Sequence, residues 1–182
     1  MEKKKLIIVE GFDRIGKDTF LKKVEENEIE DLKVYIQKNN PPQYRNKEEF
    51  KAWLVSFLKG QADELMSFDS NIIMARLFTS DFVYSSLFNR TMSVDYPLQV
   101  LPKKYDIYQI IFLYKSYEDY LTRCKFLKCE VEYSKEEFEK INYLYQNSLF
   151  NTTMKTVIFY NPKRSFKDEL AELNKILKGE RK

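Results

Sequence analysis

The 182-residue chain contains no histidine. That absence excludes Ser-His-Asp and Cys-His nucleophilic triads, histidine metal sites and imidazole general-base chemistry together. Any catalysis is left to Lys, Arg, Asp, Glu, a metal ion and the backbone. Cysteine is nearly absent: Cys124 and Cys129 form no CxxC pair, so neither a disulfide framework nor a tetrahedral zinc site is indicated, and two reduced thiols suit the cytoplasm. No apolar run is long enough to span a bilayer. The basic opening Met1-Glu2-Lys3-Lys4-Lys5 is followed by apolar residues only as far as Val9, too few for an export signal, and no membrane partner is expected. A dominant charge is also missing. Against 28 Asp and Glu stand 31 Lys and Arg, a net +3 at pH 7. The two signs are interleaved, so stable nucleic-acid binding is not expected, whereas a small polyanion needs only local positive charge.

Only four glycines occur, and two of them punctuate one stretch, Leu6-Ile7-Ile8-Val9-Glu10-Gly11-Phe12-Asp13-Arg14-Ile15-Gly16-Lys17-Asp18-Thr19. It reads as a buried strand that stops at Gly11, a loop closed by Gly16, and a helix opening at Lys17. Such a loop is a phosphate cradle: the glycines let the backbone bend toward an anion, and the helix start points unpaired N–H groups and its positive dipole end inward. Lys17 adds a mobile charge for the outer phosphates. The spacing is the P-loop pattern GxxxxGK, with Asp18 where Ser or Thr is usual and Thr19 next. A plain glycine turn with a surface lysine is the alternative reading.

Downstream, short apolar runs alternate with amphipathic stretches. Leu32 to Ile36, Asn71 to Ala75, Tyr108 to Tyr114 and Thr156 to Tyr160 read as further strands, each a near-continuous apolar run. Helices are expected from Asp18 to about Glu28, Asn46 to Leu58 with Gly60 as a bend or end or with Gln61 to Met66 continuing it, and Ser80 to about Asn89. Asp95 to Tyr105, with Pro97 and Pro102, reads as a mixed turn and short helix. Three later helices open with serine and an acid three residues on: Ser116 with Asp119, Ser134 with Glu137, Ser165 with Asp168. Strands alternating with helices predict a three-layer α/β/α domain over residues 1–182 with a parallel, five-stranded sheet.

Arg76 stands at the carboxyl end of a central strand, the edge that also carries the phosphate loop, and arginine suits bidentate phosphate contact. Here a family resemblance emerges. Val9 to Lys17 closely resembles the opening of thymidylate kinases, and Arg76-Leu77-Phe78-Thr79-Ser80-Asp81-Phe82-Val83-Tyr84 looks like that family's second motif. Gly-Lys-Asp-Thr is similar to the phosphate loops of some bacteriophage deoxynucleoside monophosphate kinases. Arg123 matches the arginine that opens the lid of nucleoside monophosphate kinases, here a short lid around 124–134 whose basic residues are Lys125 and Lys128.

The resemblance implies that Gly11, Gly16, Lys17, Asp18 and Thr19 hold the ATP phosphates and Mg²⁺, with Asp18 and Thr19 on the metal side. Arg14 would approach the transferring phosphoryl group, and Asp13 the acceptor's sugar or phosphate region. Arg76 would clamp the acceptor monophosphate, near Ser80, while Tyr84 presses on the sugar and disfavours a 2′-hydroxyl. Lys38 and Pro41 fit the acceptor loop, and Arg45 is a further candidate for its phosphate. Trp53 or Phe57 could stack on a base or belong to the core. Ala75 departs from the family, replacing the acid that usually precedes the arginine, and no helix arginine for a thymine base is evident between Phe50 and Met66. The expected activity is transfer of the ATP γ-phosphate to a deoxynucleoside monophosphate in the cytoplasm, that of a host if phage-encoded, with a homodimer left open. Two alternatives remain: a deoxynucleoside kinase using Glu10 or Asp13 as base, and a nucleotide-binding regulator that has lost catalysis.

Overall fold

A computed structural model describes residues 3–36, 46–127, 132–161 and 165–180. Five strands form one sheet: β1 (Lys4–Gly11), β2 (Leu32–Tyr35), β3 (Asn71–Ala75), β4 (Tyr105–Tyr114) and β5 (Lys155–Asn161), in the order β2-β3-β1-β4-β5. Every pairing is parallel, as the uninterrupted apolar runs predict. β1 is central, with Leu6 in register with Ile72 of β3 on one side and Ile107 of β4 on the other. Leu6, Ile7, Ile8 and Val9 expose no surface, each contributing ~1.5–3 kcal/mol by burial.

Eight helices are described: α1 (Lys17–Glu26), α2 (Lys47–Ser67), α3 (Phe78–Leu87), α4 (Asp95–Lys104), α5 (Tyr117–Leu127), α6 (Lys135–Gln146), α7 (Phe150–Thr153) and α8 (Phe166–Leu177). They divide between the two faces of the sheet because β1 alternates. Ile7 and Val9 pack with Phe20, Leu21 and Val24 of α1 and with Leu173 and Ile176 of α8. Leu6 and Ile8 pack with Leu58, Ala62 and Leu65 of α2 and with Leu101 of α4. The capping boxes at Ser134 with Glu137 and Ser165 with Asp168 are complete in both directions, and Asn46 caps α2 by accepting from the Glu49 N–H.

One element decides between two sequence readings, and a second is more regular than the sequence suggests. α2 runs straight through Gly60 to Ser67, because Gln61, Ala62 and Leu65 continue its buried stripe and core burial outweighs the ~1 kcal/mol helix cost of one glycine. The stretch after Asp95 is a ten-residue helix despite two prolines. Pro97 falls in its first turn, where an N–H has no intrahelical acceptor, and Pro102 in its last, held by the fully buried Leu101. Among the described residues no helix is long and apolar enough to cross a membrane.

The glycines carry a stability prediction. Gly11 has φ +124°, and a Cβ there would run into the Phe112 carbonyl of β4, whereas a Cβ on Gly60 would meet nothing within 4 Å. Gly11→Ala is therefore expected to lower unfolding stability by at least ~1 kcal/mol, and Gly60→Ala to raise it by ~0.5–1 kcal/mol. Urea denaturation of the two variants measures both.

Candidate active site

β1 ends at Gly11, where the close approach to Phe112 turns the chain out of the sheet, and the Phe12 N–H donates to the Phe112 carbonyl at 3.3 Å. Gly16, in the left-handed region at φ +104°, begins α1. Lys17 is 3% exposed, and its Nζ donates to the Gly11 carbonyl at 2.7 Å and to the Phe12 carbonyl. Burial, helped by the positive charge of Arg76, pulls its pKa down to about 7 against the opposing pull of Asp13, Glu10 and Asp18. Asp18 and Thr19 are exposed in the first turn of α1. Lys17, Asp18 and Thr19 share a cleft of about 180 Å³ with Arg14, Arg76 and Arg123.

The residue just before the loop determines where Arg76 stands. Glu10 lies on the same face of β1 as Leu6 and Ile8 and is fully buried. Its carboxylate accepts from the N–H groups of Leu77 (3.0 Å), Thr79 (3.1 Å) and Ser80 (3.1 Å), and from the Ser80 hydroxyl. An acid from the strand thus caps α3 at its positive end. Burial pushes the Glu10 carboxyl above its ordinary range, while these donors and Lys17 favour the anion. Tyr145 of α6 completes the knot: its hydroxyl donates to the Gly11 carbonyl at 2.9 Å and lies 3.1 Å from Ser80 Oγ.

With α3 fixed, Arg76 Nη2 meets Asp13 Oδ1 at 2.8 Å across the sheet edge. Burial opposes ionisation of Asp13, but Arg76 and Lys17 outweigh it and hold the carboxyl below its usual range. Tyr133 donates its hydroxyl to Asp13 Oδ2 at 3.3 Å, and its backbone is anchored by the hydroxyls of Tyr120 and Tyr117. The Tyr84 hydroxyl is buried beside the same carboxylate, and burial together with the nearby Tyr145, Asp13 and Tyr133 pushes its pKa upward. Arg14 and Arg76 both hold positive φ, +61° and +59°, conformations that non-glycine residues adopt at a cost and that cluster at functional sites.

The structure gathers Asp13, Arg14, Lys17, Asp18, Thr19, Arg76, Tyr84 and Arg123 around connected clefts. Arg123 Nε donates to the Arg14 carbonyl at 3.4 Å, and its guanidinium lies 5.5 Å from the Phe126 ring centre. Ser80 faces inward, to Glu10 and Tyr145, with 5% exposure. Trp53 and Phe57 stack on each other, ring centres 4.9 Å apart, and neither lines the cleft beside Asp13; Phe50, one turn earlier on α2, does. Lys38, Pro41 and Arg45 lie outside the described residues, as does Lys128 of the expected lid. Sequence reasoning did not single out Tyr133, Tyr145, Phe50 or Arg90. The one available signal was Asp81, an acid in helical register with the core positions Phe78 and Ser85, which implied a buried partner.

Four clefts join through shared residues. One of about 430 Å³ between α1, α5 and α8 is lined by Phe20, Phe112, Phe126 and Phe166 and shares Gly16, Thr19 and Arg123 with the phosphate cleft. A smaller one containing Asp13, Arg14 and Tyr133 links the phosphate cleft to a space of about 1180 Å³ between α2 and α3. Among the described residues no three His, Cys, Asp or Glu side chains gather into a metal cluster. The donor set nevertheless fits Mg²⁺, which is commonly held by one or two carboxylates with phosphate oxygens and water: the Asp18 carboxylate and Thr19 hydroxyl open onto the cleft that Lys17 lines.

No protein-family model matches the sequence, and no curated protein matches it. Solved structures do. The thymidylate kinase of Candida albicans superposes with a TM-score of 0.64 at 13% identity, covering 98% of this chain and 92% of that one. The chain has a thymidylate kinase-like P-loop kinase fold. The YorR protein of Bacillus subtilis, solved with phosphorylated GDP, gives 0.65 at 16% identity over 97% of both chains. Deoxyadenosine kinase from M. mycoides, with dCMP and a flexible dCDP bound, gives 0.63 at 15% identity over 96% of this chain and 99% of that one. The P-loop kinase fold thus holds at sequence identities that leave the substrate open.

Lys17 makes a pH prediction with a definite sign. Between about pH 7 and its ordinary 10.5, the unfolded chain holds a proton on Lys17 that the folded chain releases, so the stability contributed by this position rises with pH through that window. The stability of the wild type minus that of Lys17→Met, from urea midpoints, should climb between pH 7 and 10. A flat difference would contradict the burial of an ionisable ammonium.

Proposed function

We propose that this chain is an ATP-dependent deoxynucleoside monophosphate kinase, transferring the γ-phosphoryl group to a dNMP to give a dNDP and ADP. The observation that carries the reading is the Asp13–Arg76 pair at the junction of the phosphate cleft and the large cleft, which puts a guanidinium where an incoming monophosphate would sit. Phosphoryl transfer asks the protein mainly for alignment and positive charge around the moving group. Lys17, Arg14, Arg76 and Arg123 supply that charge from four elements of the fold without histidine. When bound, Mg²⁺ on Asp18 and Thr19 would neutralise charge on the donor phosphates.

Donor and acceptor then divide the clefts. The aromatic cleft beside Arg123 suits the donor's base, and residues 124–134 are its proposed lid within a single kinase domain. The large cleft suits the acceptor, whose sugar would pack beside Tyr84. Crowding at Tyr84 is the proposed discrimination against a 2′-hydroxyl. A deoxynucleoside kinase is the second reading, and one observation favours it: the Asp13 carboxylate lines the acceptor cleft, where it could take a 5′-hydroxyl proton. Glu10 does not serve that role, because its oxygens are engaged by α3.

Release of ADP from Mg-ATP, measured across deoxynucleosides, deoxynucleoside monophosphates and ribonucleoside monophosphates, separates the readings. Turnover is expected with monophosphates; turnover with nucleosides alone would replace the first reading by the second, and none at all would reject both. Lys17→Ala should abolish transfer. Tyr84→Ala should narrow the gap between deoxy- and ribonucleotides, and an unchanged gap would remove Tyr84 from that role.

A further inference from the structure

The large cleft holds a built charged group. Asp13, the partner of the Arg76 clamp, lines this cleft together with Tyr84 of α3 and with Phe88 and Arg90 just beyond that helix. The group is the guanidinium of Arg90. Its Nη1 pairs with Asp81 Oδ1 at 3.3 Å, and Asp81, itself 7% exposed, is held in turn by the Ser93 N–H at 2.7 Å and the Ser85 hydroxyl at 3.4 Å. The guanidinium lies over the Phe50 ring, 5.3 Å from its centre, and Arg90, Phe50 and Phe88 all line the cleft. Phe88 is 55% exposed and its ring runs parallel to that of Tyr84. An arginine fixed by a buried acid beside two accessible aromatic rings is a donor fork with stacking surfaces, in the cleft that Asp13 and Tyr84 also line.

We propose that Arg90 is a specificity-determining residue that selects acceptor nucleotides whose base presents two adjacent hydrogen-bond acceptors. This rests on the large cleft being the acceptor site. A guanidinium carries five donors and no acceptor, and Asp81 occupies only part of it; no other carboxylate pairs with it among the described residues. Its parallel N–H groups match guanine O6 and N7, and cytosine O2 and N3 offer the same chemistry. Adenine places an amino donor beside each acceptor on its exposed edges, and thymine separates its two carbonyls by an N–H. Both can meet only one arm of the fork.

The test is equilibrium binding of dGMP, dCMP, dAMP and dTMP to the full chain by titration calorimetry, which needs no turnover. dGMP or dCMP, or both, should bind ~10- to 100-fold tighter than dAMP and dTMP, the size expected for a bidentate contact; the two arms separate guanine from cytosine. Arg90→Lys keeps the charge for Asp81 but loses the fork, and should collapse the preference while leaving ATP binding and dAMP affinity within about threefold. The double variant D81N/R90M removes both charges together and should do the same, with thermal melting confirming that each variant folds. Equal affinities in the wild type, tighter dAMP or dTMP, no binding of any dNMP, or a preference that survives Arg90→Lys would each overturn the proposal. A uniform loss of all four affinities in both variants would also overturn it, because an arginine that merely anchors Asp81 would act in that way. Base-selective binding without ADP release would reject the kinase reading and keep this one; turnover without base preference would do the reverse.

Discussion

The arrangement depends on one buried carboxylate. Glu10, one residue before the end of the central strand, directs its side chain at the first turn of α3, where unpaired N–H groups need an acceptor. Because the acid belongs to β1 and the donors belong to α3, this single group fixes the distance between the phosphate loop that follows Glu10 and the arginine that precedes α3. The Asp13–Arg76 contact is its consequence. The cost of burying a carboxylate is offset in part by four donors, the helix dipole and the nearby Lys17.

A parallel sheet makes that economy available. All five strands point the same way, so the loops at their carboxyl ends meet along one edge, and β1 at the centre brings its loop between those of β3 and β4. Arg14 from the first loop, Arg76 from the second and Arg123 from the helix after the fourth strand converge there with Lys17. Four cations within one cleft repel one another, and the depressed Lys17 shows that repulsion together with burial. A polyphosphate is the kind of ligand that relieves it.

Aromatic packing supplies rigidity where polar contacts are few. Phe12, fully buried inside the phosphate loop, sits among Tyr114, Tyr120, Tyr133 and Phe138, with ring centres 5.1–6.0 Å away. The loop is thereby tied to α5 and α6 as well as to the sheet. Tyr133 uses its backbone for that anchoring and its hydroxyl for Asp13, so the segment entering α6 and the Asp13–Arg76 pair are joined in one residue.

The linear sequence determined the strands, their parallel arrangement, the phosphate loop and the helix caps, because each depends on neighbours within a few residues: apolar runs, glycine spacing, serine with an acid three positions on. It also marked Lys17, Arg14 and Arg76, whose meaning comes from standing at strand ends. It left open whether α2 passes Gly60 and whether two prolines permit α4, since core burial decided both against local propensity. Tertiary structure alone assigned Glu10 to α3, turned Ser80 inward, and brought Tyr145 to Gly11 across 134 residues and Tyr133 to Asp13 across 120. In a chain with 13 tyrosines, nothing local distinguishes Tyr133 and Tyr145. Arg90 joined Asp81 for the same reason: a charge buried in low dielectric must find its partner wherever the fold places one, and only the folded chain says where.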